Sequence, residues 1–522
     1  MAGSVVAWSF PLTKLLPLIL GGLLLACSSL PHYPVQLVAD GTTYQGAASA
    51  DGNVEYFLGV PFAAPPVGAL RWRTAQKLDL SSDVRDASQF APACMQGDYI
   101  VSWYQSVMRS FNADPSAFPV PVESEDCLYL NIWRPLNSGT EKLPIVVYIH
   151  GGSNKGGWAY EPNYHGEELA RRGVIVISIA YRLNVFGLFA HPDQQAINFG
   201  LMDQITALQW INEHLDVIGG EVGSITLMGE SAGGNNIGFL LASPLADGLF
   251  NRVIIQSAGS ALKGRTTRDD LLQRTELVAK ELLSDTQSSL EDLRKISAHS
   301  MLKMFPKYYE HPFYFDPVVD GEALLQLPRP AIETRVKAPI DILVGSNKHE
   351  WRGSLSDGDT LENKVGVHLS AALFDQLKNL QQEGENDGDF LDRVITAREY
   401  FCPSRWLAEK MKEKGGNAWF YYFTRQRSGD VAIKVGVYHG AELPYVFGTH
   451  DDWLPTSNLD VLVSETAMYY WANFIKTGNP NGSDMTVWSP FDSELPSTQV
   501  LDVNVRTMEH VSKPLCAIFS EG

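Results

Sequence analysis

The chain has 522 residues, 45% of them hydrophobic, and a net charge of −19 with acidic and basic residues interspersed. That is enough apolar material for a large buried core, and with no Gly/Ser linker or low-complexity tract to divide it, one large domain with insertions is expected rather than several small ones. An acidic, mixed surface excludes a nucleic-acid footprint and offers no basic face to a membrane.

At the N-terminus Lys14 is the only charge before an apolar stretch from Leu15 to Ala26. That stretch is well short of the roughly 20 residues that span a bilayer, so residues 1–26 read as a secretory signal. Its ending, Leu24-Leu25-Ala26-Cys27, resembles a bacterial lipobox. The resemblance implies a lipidated Cys27 as the mature N-terminus in a bacterial cell envelope, and Ser28 after it points to the outer membrane. Ordinary signal cleavage nearby, or an uncleaved anchor, is the alternative. Five cysteines are odd in number, and a lipidated Cys27 accounts for the extra one. The other four either pair in an oxidising compartment or remain buried thiols.

Short, uniformly apolar runs then alternate with helical stretches. Strands are expected at Ile145 to Ile149, Val174 to Ala180, Ile225 to Met228, Val253 to Gln256 and Ile342 to Val344. Such runs suit a central, mostly parallel sheet covered on both faces, which makes the class α/β. The first strand runs into His150-Gly151-Gly152-Ser153, a small-residue turn able to expose successive backbone N–H groups. Leu201, Ile205, Leu208, Ile211 and Leu215 recur at helical spacing and predict an amphipathic helix on the sheet. Two segments richer in charge and helix formers, Asp269 to Leu327 and Gly353 to Trp406, read as insertions that wall a pocket.

The run Ile225 to Met228 leads into Gly229-Glu230-Ser231-Ala232-Gly233-Gly234. A serine between small residues at a strand-to-helix break has the pattern of a nucleophile elbow. Alone the pattern is weak, because a glycine-rich turn looks the same; the other parts of the chemistry must come from elsewhere. A serine hydroxyl needs a base, and the base needs an orienting acid. Glu350, just past the strand Ile342 to Val344, and His439, in Tyr438-His439-Gly440, follow Ser231 in the order Ser, acid, His. His349 and His450 compete for the role of base, and a solvated loop carboxylate is the plainer reading of Glu350. The tetrahedral oxyanion of an ester under attack needs donors already in place, and Gly152, Ser153 and Ala232 are assigned to that hole. Without Ser231, the His150-Gly151-Gly152 turn would be only a tight turn.

At this point the chain resembles the type-B carboxylesterase family, the cholinesterase-like branch of the α/β-hydrolases. The matching segments are Gly59-Val60-Pro61-Phe62, Ser124-Glu125-Asp126-Cys127-Leu128, Tyr181-Arg182-Leu183-Asn184, Gly200-Leu201-Met202-Asp203-Gln204 and Tyr470-Trp471-Ala472-Asn473-Phe474. The resemblance covers nearly everything after the signal, so residues 27–522 are expected to form one α/β-hydrolase domain: a mostly parallel sheet covered by helices, with helical insertions. It implies a Ser231, Glu350, His439 triad, and disulfides joining Cys94 to Cys127 and Cys402 to Cys516. Three departures stand out. Ser153 and Asn154, followed by Lys155, stand where the family usually has a third glycine and then an aromatic, which leaves acyl preference open. Trp351 and Arg352 follow Glu350 where glycine is usual. Trp103 is not at the spacing of the cholinesterases' cation-binding tryptophan, so no choline ester is expected.

The function expected is that of a serine carboxylic-ester hydrolase working through an acyl-enzyme on a small-molecule ester. The alternative is a non-enzymatic, cholinesterase-like adhesion or binding protein, since fold alone does not separate the two. An amidase or a long-chain lipase would share the triad and differ in pocket size. No metal-ligand spacing and no phosphate-cradling loop occurs, so no cofactor is expected. Oligomeric state is not legible at this level.

Overall fold

The computed structural model describes residues 35–522 apart from 79–81, 137–140, 286–287, 309–313, 337, 451–452, 484, 493, 495–496, 510 and 521–522; for 305–308 only the backbone is described. The signal-like residues 1–26 and Cys27 lie outside the described residues.

The central sheet has eleven strands. In chain order they are β1 (Ala47–Ala48), β2 (Val54–Pro61), β3 (Tyr129–Pro135), β4 (Leu143–Ile149), β5 (Ile175–Ile179), β6 (Gly220–Glu230), β7 (Arg252–Gln256), β8 (Asp341–Asn347), β9 (Ala418–Phe423), β10 (Ser497–Leu501) and β11 (Arg506–Glu509). Their spatial order is β11-β10-β9-β8-β7-β6-β4-β5-β3-β2-β1. Neighbours from β5 across to β10 pair parallel, while β1, β2 and β3 on one side and β11 on the other pair antiparallel. This is the α/β-hydrolase architecture, and each of the five expected strands is present.

Alternation along these strands explains why their sequences are apolar throughout. Ile145, Val147 and Ile149 of β4 belong to one core cluster, with Leu227, Val253, Ile255, Ile342 and Val344. Val146 and Tyr148 belong to the opposite cluster, with Met228, Ile254, Leu343 and Trp419. Both faces are dry, which favours apolar residues along the whole of each central strand. Helices α3 (Ala232–Ala242), α4 (Pro328–Arg335) and α5 (Cys402–Glu413) cover the first face, and α6 (Asn458–Thr477) covers the second. These labels follow α1 (Tyr99–Ser110) and α2 (Phe199–Glu213) and precede α7 (Lys513–Ser520).

Helix α2 departs from the expected amphipathic form. It ends at Glu213, so Leu215 begins the short helix Leu215–Ile218, and only Gln209 and Glu213 within it are exposed. Buried Asp203 on α2 accepts from Arg182, Nε to Oδ2 at 2.8 Å and Nη2 to Oδ1 at 2.7 Å. The Arg182 carbonyl passes so close that a Cβ on Gly187 or Gly200 would lie 2.1 or 2.4 Å from its oxygen. A helix enclosed by loop and sheet thus carries Asp203 inward as a paired residue.

The insertions also divide differently from the expectation. Leu271, Val278, Leu293 and Met301 of the first pack against Val185, Phe186 and Phe189, which consumes its apolar face away from Ser231. The second builds its own cluster from Leu377, Phe390, Val394 and Ile395 against Leu515 and Ile518 of α7, and contributes Ser354 and Tyr400 to the cavity at Ser231. Cys94–Cys127 and Cys402–Cys516 are both bonded, the second across 114 residues of chain, as a protein from an oxidising compartment would be.

Removing one partner of a buried ion pair strands the other. Asp203→Ala is expected to lower unfolding stability by about 3–5 kcal/mol, read from denaturant midpoints with an unchanged slope.

Candidate active site

Strands β4 and β5 proceed in one direction across the sheet from β4, and β6 onward in the other. The crevice between the carboxyl ends of β4 and β6 is therefore a topological switch point, where ligands bind in open α/β sheets. The His150-Gly151-Gly152-Ser153 turn leaves β4 there, and Ser231 leaves β6 beside it.

Ser231 sits at φ 56°, ψ −123°, immediately before α3. That backbone is costly for a side-chain-bearing residue and needs surroundings that enforce it. The glycines show what enforces it. A Cβ on Gly233 would lie 2.0 Å from the Ile149 carbonyl oxygen, and one on Gly229 would lie 2.7 Å from the Gly233 carbonyl carbon. Helix and strands cross at backbone contact, and the Ser231 N–H is held by the Gln256 carbonyl at 2.9 Å.

The three residues expected to act together are within hydrogen-bonding reach. His439 Nε2 lies 2.8 Å from Ser231 Oγ, and its Nδ1 lies 2.7 Å from Glu350 Oε2. Glu350 is enclosed, and its Oε1 accepts from Ser257 Oγ at 2.6 Å and from the Asn347 N–H at 2.6 Å. The competing histidines have other partners: His349 Nδ1 accepts from the Val437 N–H at 3.0 Å, and His450 Nδ1 lies 3.1 Å from an Arg427 nitrogen. Burial pushes these two imidazoles down to about 3 and about 4 respectively, with nearby cations adding to it.

Gly152 (φ 101°), Ser153 (φ 57°) and Asn154 (φ 53°) form a run of positive-φ residues after β4. Among the described residues the N–H groups of Gly152, Ser153 and Ala232 have no protein acceptor. The turn is closed at Gly152 by the Gly156 N–H, and a Cβ on Gly152 would lie 2.1 Å from the Gly156 carbonyl. Asn154, where the family has an aromatic, turns away from Ser231. Its Nδ2 donates to the Phe315 carbonyl at 2.9 Å, and its Oδ1 accepts from Asn236 of α3 at 2.9 Å. Of the other departures, Trp351 lines the cavity and Arg352 pairs with Asp389. Trp103, on α1, also lines the cavity, although its spacing gave no reason to place it there. The cavity measures about 190 Å³ and has further walls in Tyr99, Tyr104 and Tyr400.

Residues 40–518 match the carboxylesterase family. The chain belongs to that family. Liver carboxylesterase of Sus scrofa is 32% identical over 513 residues, covering 88% of each chain. Cholinesterase of Mus musculus is 32% identical over 486 residues, 85% of this chain and 78% of the relative. Among solved structures, a PNB esterase superposes with a TM-score of 0.79 at 26% identity, covering 93% of this chain and all of that one.

Several groups at this carboxylesterase-family site were not singled out by sequence reasoning. Glu230, inside the Ser231 motif, places Oε1 3.2 Å from His439 Nε2. Glu442 accepts from Gln256 and from the Asn347 side chain, tying the His439 loop to β7 and β8. Glu161 lines the cavity and accepts from the Trp158 N–H at 3.1 Å. Glu230 and Glu442 carried one signal, their nearness in sequence to Ser231 and His439. Ser257 carried another, its place just past a parallel strand. Glu161 carried none.

Burial dominates the protonation of these acids. It raises the Glu230 carboxyl to about 8 against the opposing pull of His439, and the Glu161 carboxyl to about 7 against its hydrogen bonds from Tyr164, Tyr104 and Trp158. For His439 burial acts downward, but the Glu230 charge and then the Glu350 hydrogen bond outweigh it and lift the imidazole to about 9. Glu230→Gln removes an anion that favours the imidazolium, so the His439 pKa is expected to fall; the imidazole resonances followed by NMR across pH would show it.

Proposed function

We propose that this protein is a serine carboxylic-ester hydrolase with Ser231 as nucleophile, His439 as general base and acid, and Glu350 as the acid that orients it. The observation that carries this reading is the unbroken line from Ser231 Oγ through both imidazole nitrogens to Glu350, 2.8 and 2.7 Å long, opening on a cavity whose turn presents free N–H groups.

In this reading the Ser231 O–H donates to Nε2 while the Nδ1–H donates to Glu350, a tautomer that the buried carboxylate selects. The hydroxyl loses its proton to Nε2 as Oγ attacks the ester carbonyl. Negative charge then develops on the carbonyl oxygen, and the N–H groups of Gly152, Ser153 and Ala232 receive it without reorganising. The imidazolium returns its proton to the departing alcohol, leaving an acyl-Ser231. A water activated by the same imidazole releases the acid. A 190 Å³ space supports compact esters over long acyl chains. The enclosed acyl-enzyme site also weighs against a purely adhesive role.

Export is part of the proposal. The two disulfides and the signal-like N-terminus support it, with Cys27 as a lipid attachment point in the cell envelope. Intact mass of the membrane-extracted mature protein is expected to show diacylglycerol on an N-terminal Cys27, and a chain beginning elsewhere without lipid would refute that attachment.

Hydrolysis of p-nitrophenyl esters of increasing acyl length is expected to favour short chains and to fall by about 10⁴-fold or more in Ser231→Ala. The wild type is expected to be labelled stoichiometrically by an organophosphate. Because neutral His439 is the active form, kcat/KM should rise with pH as the imidazole loses its proton, and its acid limb should move to lower pH in Glu230→Gln. A folded wild type that neither turns over these esters nor takes the label would overturn the assignment.

A further inference from the structure

A second cavity, about 410 Å³, shares no lining residue with the one at Ser231. Its walls carry Lys263, Arg329, Arg398, Arg405 and Lys513 against a single carboxylate, Glu409. In a chain of net charge −19, this is a concentration of the minority charge in a concave place, where fields add and solvent screens less.

Two of the cations are already paired: Arg405 with Glu409 at 3.0 Å and Arg398 with Glu399 at 2.7 Å. The other three, Lys263, Arg329 and Lys513, have no carboxylate within ion-pair distance among the described residues. Arg329 is the most telling. Its guanidinium lies 4.8 Å from the Trp406 ring centre, and its Nε is buried with no hydrogen-bond partner among the described residues. An unpaired buried donor is costly unless something else satisfies it. The like charges also work against one another: burial, then Arg329, lowers the Lys263 pKa, and burial lowers that of Arg329.

The walls are held in place before any ligand arrives. Arg329 lies on α4, Arg405 and Trp406 on α5, and Lys513 on α7, while Cys402 and Cys516, both lining the cavity, join α5 to α7 covalently. A site whose charged walls are fixed in advance loses little freedom on binding.

We propose that this cavity is a binding site for a small, multiply charged oxyanion, a phosphate or polycarboxylate group held by Lys263, Arg329 and Lys513. A guanidinium fork against the ring and two ammonium groups suit a compact anion with several oxygens, since each donor is charged and has no ion-pair partner among the described residues. The proposal stands apart from the esterase reading, because it uses none of the same side chains and is tested by binding.

Titration calorimetry of the mature full-length protein with inorganic pyrophosphate and with citrate, at constant ionic strength, tests it. Saturable one-to-one binding of at least one of the two is expected. Removing one charge-assisted contact should weaken it by about tenfold or more, in Arg329→Gln and separately in the double variant Lys263→Gln/Lys513→Gln. The double variant alters only exposed side chains and guards against a folding defect in the first. Lys77→Gln, on a remote exposed ion pair, should bind as the wild type does. Pyrophosphate alone binding would identify a phosphate site and citrate alone a carboxylate site. Absence of saturable binding of either, or equal affinity in the wild type and the double variant, would overturn the proposal.

Discussion

The site rests on how closely α3 passes the end of β4. With 2.0 Å between a hypothetical Gly233 Cβ and the Ile149 carbonyl oxygen, the helix has no room to start anywhere but directly on the sheet. That contact forces Ser231 into its positive-φ conformation and lifts its hydroxyl clear of the strand. It also leaves the first N–H of α3, like those of Gly152 and Ser153 in the turn after β4, without a protein acceptor among the described residues. A side chain at Gly229 or Gly233 would push the helix away and separate Ser231 from the turn at Gly152 and Ser153.

Around that crossing, the neighbouring strand ends hold Glu350 and His439. Glu350 receives donors from Ser257 after β7, from the Asn347 backbone at the end of β8, and from His439 in the loop beyond β9. Glu442 is bound by Gln256 and Asn347 side chains from the same two strands. The parallel sheet thus fixes two carboxyl groups and one imidazole through the ends of adjacent strands, with rigid elements rather than mobile loops supplying the supports. Burying so many acids together has an electrostatic consequence: Glu161, Glu230 and Glu442 are all pushed toward their neutral forms. His439 therefore sits in a field set in part by Glu230, 3.2 Å from its Nε2.

The same separation of charge appears at larger scale. The chain is acidic overall, yet three cations without an ion-pair partner among the described residues, Lys263, Arg329 and Lys513, gather at a cavity between α4, α5 and α7, beside a disulfide that closes 114 residues of chain. Insertions that serve the Ser231 cavity only partly thus also build a second concave surface of opposite electrostatic character.

By itself the sequence determined five of the eleven sheet strands, because a sheet dry on both faces favours uninterrupted apolar runs, and it singled out the Ser231 turn, because backbone contact demands glycine near it on either side. It also pointed to Glu350 and His439, through chain order and resemblance. Only the tertiary structure decided that Asn154 turns toward Asn236, that Trp103 lines the cavity, that α2 is enclosed rather than amphipathic, and that Ser257, Glu161 and Glu442 belong to the site. Local spacing reports which face of its own element a side chain occupies; what lies opposite that face is contributed by residues far away in the chain, such as Asn154 and Asn236, 82 apart, and Ser231 and His439, 208 apart, and only packing brings them together.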